Sequence, residues 1–257
     1  MSIIIAYKFT EIEVCLMNTK NASYFQLPEL TIRSENLGFV PLLNKSCLLV
    51  IGGRAPKADW LQKTAEGHAL WAVDHGLDAC LAAKLRPAKL IGDGDSAQPK
   101  AWQWAKEQDI PIEKFPVEKD DTDTQLALKL AHNAGFPAAF VTGAFGGRFD
   151  HALSTVMSCA FAPLPCLLAD ERETLLFVHA GETLSVTVKK QPKAISLLPL
   201  TDRCEGVTLE GTHWPLHEAV LTQRSMRAVS NVLESGHGIL TLSIKTGLLG
   251  LYFVWHE

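Results

Sequence analysis

Three segments rich in acidic residues and glycine lie close together in the chain. They read GDGDS at 92–96, KDDTD at 119–123 and TGAFGGRFDH at 142–151. Each stands where a strand pattern ends and a helical pattern begins. The carboxyl ends of the strands in an open α/β sheet form the ligand crevice. We therefore expect one crevice to gather several carboxylates, a glycine-rich turn and an arginine, a set of groups that could hold a metal-bound polyphosphate.

The GDGDS segment alternates Asp93 and Asp95 with Gly92 and Gly94. In a tight turn both carboxylates could face one ion, and Mg²⁺ prefers such oxygen ligands together with substrate phosphates. For this segment alone, a solvated turn of ordinary Asp and Gly residues remains the alternative. An EF-hand loop is excluded because its fifth position, counted from Asp93, would be Ala97.

The KDDTD segment places three acids beside Lys119 at a helix start. Thr122 could cap that helix, and one or two of the acids could interact favourably with its dipole. Three carboxylates within four positions exceed that structural need. A cation or a cationic substrate in contact with Asp120 or Asp123 is therefore the favoured interpretation.

The TGAFGGRFDH segment could wrap a phosphate with the backbone of Gly146 and Gly147 at a helix N-terminus. Arg148 could bind that phosphate through two parallel hydrogen bonds. The segment is neither a Walker A loop nor the dinucleotide fingerprint, because both spacings are absent. Asp150 and His151 could instead be a simple helix-capping pair.

A fourth strand end contributes Asp74, in the tetrapeptide VDHG at 73–76. This carboxylate would join the same crevice, although a single Asp after a strand is often only a helix cap. Two weaker patterns lie in the second half of the chain, THWPL at 212–216 and AVSNV at 228–232. Composition alone favours core or turn roles for these residues.

Strand and helix patterns alternate from residue 46 to about 165, which predicts a mostly parallel sheet with helices on both faces. Short β-type runs without helices follow, which predicts an antiparallel β-sandwich or partial barrel. We therefore expect an α/β plus β fold. The expected segments are an N-terminal extension (1–45), read as an edge strand or hairpin or as partly disordered, an α/β domain (46–168) and a β-sandwich (169–257).

Composition narrows the class of protein further. The net charge is −4, the pI is near 6.1 and no basic run occurs, so nucleic-acid binding is not expected. The sequence has no stretch of eighteen apolar residues, so no membrane span is expected. Glu11 and Glu13 interrupt the apolar start that a signal peptide would need. The six scattered cysteines favour reduced, buried thiols in the cytoplasm.

Taken together, the segments resemble the thiamine pyrophosphokinase family over residues 47–254. GDGDS is similar to the family's GDFDS, KDDTD to its KDxTD, and GAFGGRFDH to its G-x-x-GGR-x-DH. In the second half ISLLPL, EGVTLEGTHWPL and AVSNV resemble the family's SL-PL, VT-x-GL-W-PL and TSN segments. Six ordered matches are more specific than any one of them.

The resemblance implies an α/β domain followed by a β-sandwich, in a homodimer with sites at the subunit interface. It implies Mg²⁺-dependent transfer of the diphosphoryl group of ATP to the hydroxyl of thiamine, which gives thiamine diphosphate and AMP. The implied metal ligands are Asp93, Asp95 and Asp123. The implied catalytic residues are Asp95, Asp123, Arg148 and Asp150, with the proton-accepting carboxylate left open between Asp123 and Asp150. The implied nucleotide and thiamine contacts are Asp74, Ser96, Lys119, Thr122, Gly146, Gly147, Trp214, Ser230 and Asn231.

The chain departs from the family pattern at several positions. The family's ADGGAN is VDHGLD here, with His75 and Leu77 where small residues are usual. Gly94 replaces a Phe, and Val229 replaces the Thr of TSN. These changes leave open a different acceptor, such as a hydroxymethylpterin, or a non-catalytic module that binds thiamine diphosphate or a nucleotide. A plain phosphohydrolase would need a water-activating set of residues that the sequence does not provide.

Overall fold

The computed structural model describes residues 24–34, 40–92, 97–115, 120–236 and 238–256. The first part of the described chain alternates strand and helix after a short opening hairpin. Its elements are β1 Tyr24–Gln26, β2 Leu30–Ser34, α1 Val40–Leu43, β3 Cys47–Val50, α2 Ala58–Thr64, β4 Ala69–Val73, α3 Gly76–Ala82, β5 Lys89–Ile91, α4 Pro99–Glu107, β6 Ile112–Glu113, α5 Asp123–Asn133, β7 Ala139–Thr142, α6 Phe149–Ala160 and β8 Cys166–Ala169.

The second part of the described chain is built from strands. They are β9 Glu173–His179, β10 Thr183–Val188, β11 Ala194–Pro199, β12 Arg203–Glu210, β13 Leu216–Thr222, β14 Ile239–Ser243 and β15 Leu248–Val254. No described helix is long and apolar enough to cross a membrane.

The larger sheet has nine strands in the order β11-β15-β9-β8-β7-β3-β4-β5-β6. From β8 to β6 neighbouring strands run parallel, whereas β9, β15 and β11 are joined antiparallel. Every residue of β3, β7 and β8 is buried, as expected for strands covered on both faces. The carboxyl ends of the parallel strands therefore meet at one edge, where the candidate site lies.

The smaller sheet has six antiparallel strands in the order β1-β2-β10-β14-β12-β13. The predicted fold class, a mostly parallel α/β sheet followed by antiparallel β structure, is confirmed. Strand β13 was not predicted, because its exposed residues include polar His217 and Glu218 and break the apolar alternation.

Strands on the two sides of the expected boundary near residue 168 share the larger sheet, since β8 pairs with β9. The boundary itself stays a prediction. Within the expected N-terminal extension, β1 and β2 form a hairpin at the edge of the smaller sheet, which confirms the hairpin reading for residues 24–34. Residues 1–23 and 35–39 lie outside the described residues.

The hydrophobic core runs continuously between the sheets. Leu30 and Ile32 of the hairpin, Phe140 of β7 and Leu240 of β14 are fully buried members of one apolar cluster. Burying each such side chain contributes about 1.5–3 kcal/mol. The hairpin is thus a part of the folded core.

Candidate active site

The glycine-rich turn at 143–147 continues the pairing of β3 with β7 beyond the ends of both strands. The N–H of Gly53 donates to the carbonyl of Gly143 at 2.8 Å, and the N–H of Arg54 donates to that of Phe145 at 2.7 Å. A Cβ atom on Gly53 would lie 2.3 Å from the Gly143 carbonyl oxygen, so no side chain fits there. The close approach brings the backbone after β3 against the turn that was predicted to wrap a phosphate.

The turn has a backbone conformation that favours glycine. Gly143, Gly146 and Gly147 have φ values of +74°, +70° and +71°. Residues other than glycine rarely adopt this left-handed region, because the Cβ atom then crowds the backbone. The turn therefore keeps Gly146 and Gly147 at the N-terminal side of α6, as the sequence predicted.

Asp74 follows β4 and covers the first residue of GDGDS. Its N–H donates to the carbonyl of Ile91 at 3.0 Å, and its Oδ1 lies 2.2 Å from the place that a Cβ on Gly92 would take. Two of the predicted strand ends thus do meet at this edge of the sheet. Asp93, Asp95 and Ser96, which come next in the sequence, lie outside the described residues, as does Lys119.

His75, the main departure from the family pattern, lies at the start of α3 beside the same edge. Its Cβ is 3.1 Å from the place of a Cβ on Gly52, and its ring Nδ1 lies 3.4 Å from the Asp78 carboxylate. More than half of the side chain is exposed. The imidazole is therefore accessible at the crevice.

Arg148 and Asp150 form an ion pair at the start of α6. Arg148 Nε donates to Asp150 Oδ1 at 3.1 Å, and its Nη2 donates to Oδ2 at 2.6 Å. The hydrogen bond from Arg148 is the main cause that lowers the pKa of Asp150, and the N–H of His151 donates to the same carboxylate. The two side chains are 74% and 61% exposed, so both are accessible to a ligand.

In the KDDTD segment Thr122 and Asp121 make structural contacts, whereas the ligand contacts of Asp120 and Asp123 stay predictions. The hydroxyl of Thr122 accepts the N–H of Gln125 at 3.3 Å, and the Gln125 side chain accepts the N–H of Thr122 at 2.9 Å, which is a complete capping box on α5. Asp121 pairs with Lys129 at 2.7 Å. Asp120 is exposed and Asp123 opens the first turn of α5. Thr122 thus has the predicted capping role, and its ligand contact stays a prediction.

A cavity of about 270 Å³ lies in the β-rich part of the chain. Its lining contains apolar Ile195, Leu197, Leu209 and Leu216, together with the predicted residues Trp214, Ser230 and Asn231. The indole of Trp214 is largely exposed, which suits stacking against a flat ring.

The side chain of Asn231 forms hydrogen bonds within the wall of this cavity. Its side-chain NH₂ donates to Thr212 Oγ1 at 3.1 Å and to the carbonyl of Trp214 at 2.7 Å. Its carbonyl oxygen accepts the N–H groups of Trp214 at 3.1 Å and Val232 at 2.9 Å. Ser230 precedes it with φ of +59° and donates its N–H to Ser196 Oγ at 3.0 Å. Asn231 therefore fixes the backbone that carries the exposed Trp214.

Sequence reasoning missed two residues at the crevice edge. Arg54 follows the two glycines after β3, so the strand-end rule that selected Asp74 could have found it. Thr142 ends β7, and its Oγ1 is buried with no hydrogen-bond partner among the described residues. It opens the segment at 142–151, but its apolar strand context indicated no role for the side chain.

Two models of one family match this chain in order. The catalytic domain of thiamin pyrophosphokinase matches residues 61–162, and the vitamin B1 binding domain of the same enzyme matches residues 183–249. The chain belongs to the thiamine pyrophosphokinase family. The catalytic match contains all three acidic and glycine-rich segments, and the second match contains Trp214, Ser230 and Asn231.

Individual members of the thiamine pyrophosphokinase family agree with this assignment. Thiamine pyrophosphokinase from Bacillus subtilis is 27% identical over 80% of this chain and 96% of that protein. The crystal structure of thiamin pyrophosphokinase from Geobacillus thermodenitrificans superposes with a TM-score of 0.71, at 25% identity over 82% of this chain and 98% of that one. The Bacillus subtilis crystal structure, at 24% identity, supports the fold with a TM-score of 0.73 over 82% of this chain and 100% of that one.

Proposed function

We propose that this member of the family is a thiamine pyrophosphokinase, which transfers the diphosphoryl group of ATP to the hydroxyl of thiamine. The observation that carries the proposal is the presence of both family domains, in order, in one chain. The products are thiamine diphosphate and AMP. The cavity beside Trp214 and the glycine-rich turn beside Arg148 supply separate places for the two substrates.

The glycine-rich turn and Arg148 receive the polyphosphate. Backbone N–H groups at the start of α6, a helix of twelve residues, favour negative charge. An exposed ion pair contributes little stability, so Arg148 can exchange the Asp150 carboxylate for a phosphate at small cost. Arg148 then stabilises the charge that develops on the transferred group.

Carboxylates at the crevice edge fit the Mg²⁺ ion that this reaction uses. Asp74 reaches over Gly92, where the segment with Asp93 and Asp95 begins, and carboxylate oxygens are the ligands that Mg²⁺ prefers. The described residues contain no cluster of three metal-ligating side chains, and Asp93 and Asp95 are not among them. We assign the ion to Asp93 and Asp95, and keep Asp123, the third ligand that the resemblance implies, for the proton. When bound, it neutralises charge on phosphoryl oxygens.

One carboxylate accepts the proton of the attacking hydroxyl. Arg148 lowers the pKa of Asp150, which makes that carboxylate a weaker base. We therefore assign the proton to Asp123. Asp150 orients Arg148 until the phosphate takes its place. Asp123→Asn then removes turnover, whereas Asp150→Asn leaves a measurable rate. If Asp150→Asn removes turnover and Asp123→Asn leaves a measurable rate, the two roles are exchanged.

The cavity beside Trp214 takes the thiamine ring system. Its walls are mostly apolar, with Arg227, Ser230 and Asn231 as the polar lining residues. The Trp214 ring is exposed, and Asn231 fixes the surrounding backbone. Trp214→Ala is expected to raise the KM for thiamine by about tenfold or more and to leave the KM for ATP unchanged. Tyr24→Ala, which shortens an exposed aromatic side chain on β1, is the matched control.

We further propose a homodimer whose active sites lie between subunits. Two groups of exposed apolar side chains support it, one on α6 and at the residue that follows it, and one around the Trp214 cavity. They are Phe149, Leu153 and Phe161, and Met226, Val229 and Trp214. A two-fold interface that covers both groups would bring the cavity of one subunit towards the crevice of its partner. Light scattering tests the oligomeric state, and Leu153→Asp is expected to give inactive monomers.

A cytoplasmic location completes the proposal. The five cysteines among the described residues are all free and buried, which suits a reducing compartment. Fractionation of cells that express the native chain tests this directly.

The deciding experiment incubates the purified protein with ATP, Mg²⁺ and thiamine and quantifies both products by chromatography. Equal amounts of AMP and thiamine diphosphate, dependent on Mg²⁺, are expected. A second acceptor, a hydroxymethylpterin, belongs in the same assay because His75 places an accessible imidazole at the crevice. AMP with the pterin only would reassign the acceptor, and no AMP with either acceptor would favour a binding module.

A further inference from the structure

Arg54 contacts the glycine-rich turn through both its backbone and its side chain. Its N–H donates to the carbonyl of Phe145 at 2.7 Å, and its Cβ lies 3.0 Å from the place of a Cβ on Gly146. No motif of the family resemblance includes this residue.

The guanidinium group of Arg54 reaches the hairpin between β8 and β9. Its Nε and Nη2 donate to Asp170 Oδ2 at 3.1 and 2.5 Å, and Nη2 also donates to Glu173. Asp170 is completely buried, and its other oxygen accepts the N–H groups of Arg172 and Glu173 at 2.8 Å each. A buried carboxylate that is saturated in this way allows the arginine one orientation.

A second connection returns from the hairpin to the turn. The hydroxyl of Tyr252 on β15 donates to Glu173, and the Tyr252 ring lies 6.2 Å from the ring of Phe145. Phe145 is buried. The turn is thus attached at the Phe145 carbonyl by Arg54 and at the Phe145 side chain by Tyr252, and both attachments meet at Glu173.

The turn needs such an attachment because its glycines do not define one conformation. Gly143, Gly146 and Gly147 can populate positive and negative φ about equally well in a free chain. The guanidinium of Arg54 lies between two carboxylates that offset its charge, so it is poorly suited to binding a phosphate itself.

We propose that Arg54 is a positioning residue for the nucleotide. It holds the turn at 143–147 in the conformation that presents its backbone N–H groups and Arg148 to the diphosphate. The inference rests on the proposed function, since it assumes that the turn receives the phosphates of ATP.

Arg54→Met tests the inference, because methionine keeps an unbranched stem beside Gly146 and removes the guanidinium. Arg172→Met is the matched control. It removes an arginine from the same hairpin, and the ion pair of this arginine with Glu171 is long, at 3.8 Å. The measurements are the KM values for ATP and thiamine, kcat, the Kd of a non-hydrolysable ATP analogue with Mg²⁺ by calorimetry, and the thermal midpoint.

Arg54→Met is expected to raise the KM for ATP and the Kd of the analogue by about tenfold, because misplaced binding groups lose much of their effect. The KM for thiamine stays unchanged, Arg54→Lys recovers part of the loss, and Arg172→Met behaves as the wild type. A folded Arg54→Met protein with wild-type ATP constants would overturn the inference. An equal rise in the KM of both substrates would also overturn it, because it would indicate a general structural role.

If Arg54→Met does not fold, Glu173→Gln decides the question. This change keeps an acceptor for Arg54 and removes one charge, so a smaller increase in the analogue Kd is expected. An unchanged Kd would then refute the inference. Failure of the wild-type protein to make thiamine diphosphate would refute the proposed function, while the analogue Kd would still report on Arg54.

Discussion

The carboxylate of Asp74 occupies the space that a side chain on Gly92 would fill, with Oδ1 only 2.2 Å from the place of the missing Cβ. The two residues directly follow the neighbouring parallel strands β4 and β5, and Gly92 has φ of +138°. The backbone conformation favours glycine at residue 92, and a side chain there would displace the Asp74 carboxylate. The position of Asp74 therefore depends on the first residue of the GDGDS segment.

Gly92→Ala is expected to displace Asp74 and reduce kcat/KM by about 100-fold, the effect of a misplacement near 1 Å at a reacting centre. The strained backbone also lowers the free energy of unfolding by about 1–3 kcal/mol. Steady-state kinetics and urea unfolding measure the two effects. Gly135→Ala, at φ of +85° with no atom near the new Cβ, should share the strain and keep wild-type activity. Equal activity of the two variants would contradict the assigned role of the contact.

Arg148→Ala is expected to lower kcat by about 10²–10³-fold, as when a donor to a developing charge is removed. The thermal midpoint should hardly change, because the pair with Asp150 is exposed. The matched control is Arg203→Ala, which removes an exposed arginine paired with Glu205 and should retain full activity. A large fall in the midpoint of Arg148→Ala would point to a structural role instead.

Asn231→Asp tests the wall of the thiamine cavity. The change replaces two buried donors by an acceptor that faces the Trp214 carbonyl and Thr212 Oγ1. The unpaired groups should lower the free energy of unfolding by about 1–3 kcal/mol. The KM for thiamine should rise while the KM for ATP stays constant. Ser230→Ala, which keeps the backbone bond to Ser196, separates a lost side chain from a distorted wall.

The buried carboxyl group of Glu29 should make the stability of the protein depend on pH. Its burial raises the pKa, and the hydrogen bond from Trp60 Nε1 only partly offsets this. A carboxyl group with a raised pKa in the folded state binds more protons there than when unfolded, so stability is lost as pH rises through the folded pKa.

Glu29→Gln keeps an acceptor for Trp60 and removes the titration. Its free energy of unfolding relative to the wild type should therefore increase as pH rises above the ordinary carboxyl pKa of about 4. Urea unfolding at several pH values measures the difference. Glu66→Gln, which neutralises an exposed carboxylate, controls for net charge. A difference that does not change with pH would contradict the buried-charge explanation.

Sequence alone predicted that Asp74, Gly92 and the glycine-rich turn follow the ends of parallel strands, because the relevant signals are local. Apolar runs such as residues 47–50 and 139–142 are recognisable as buried strands from a few neighbours. Glycines and acids directly after such runs must then gather at one edge of a parallel sheet. The contact between Asp74 and Gly92 follows from this rule, and the ordered motifs identified the family.

Tertiary structure decided which strands pair and which charges meet. Leu30 of β2 pairs with Val188 of β10, and Arg54 reaches Asp170 far along the chain. Such partners are chosen by burial and charge in the folded state, and local sequence carries little information about them. The local pattern therefore determined most of the elements and the edge where the strand-end glycines and Asp74 gather, whereas the assembled core determined the pairing of β2 with β10 and the anchor of the glycine-rich turn.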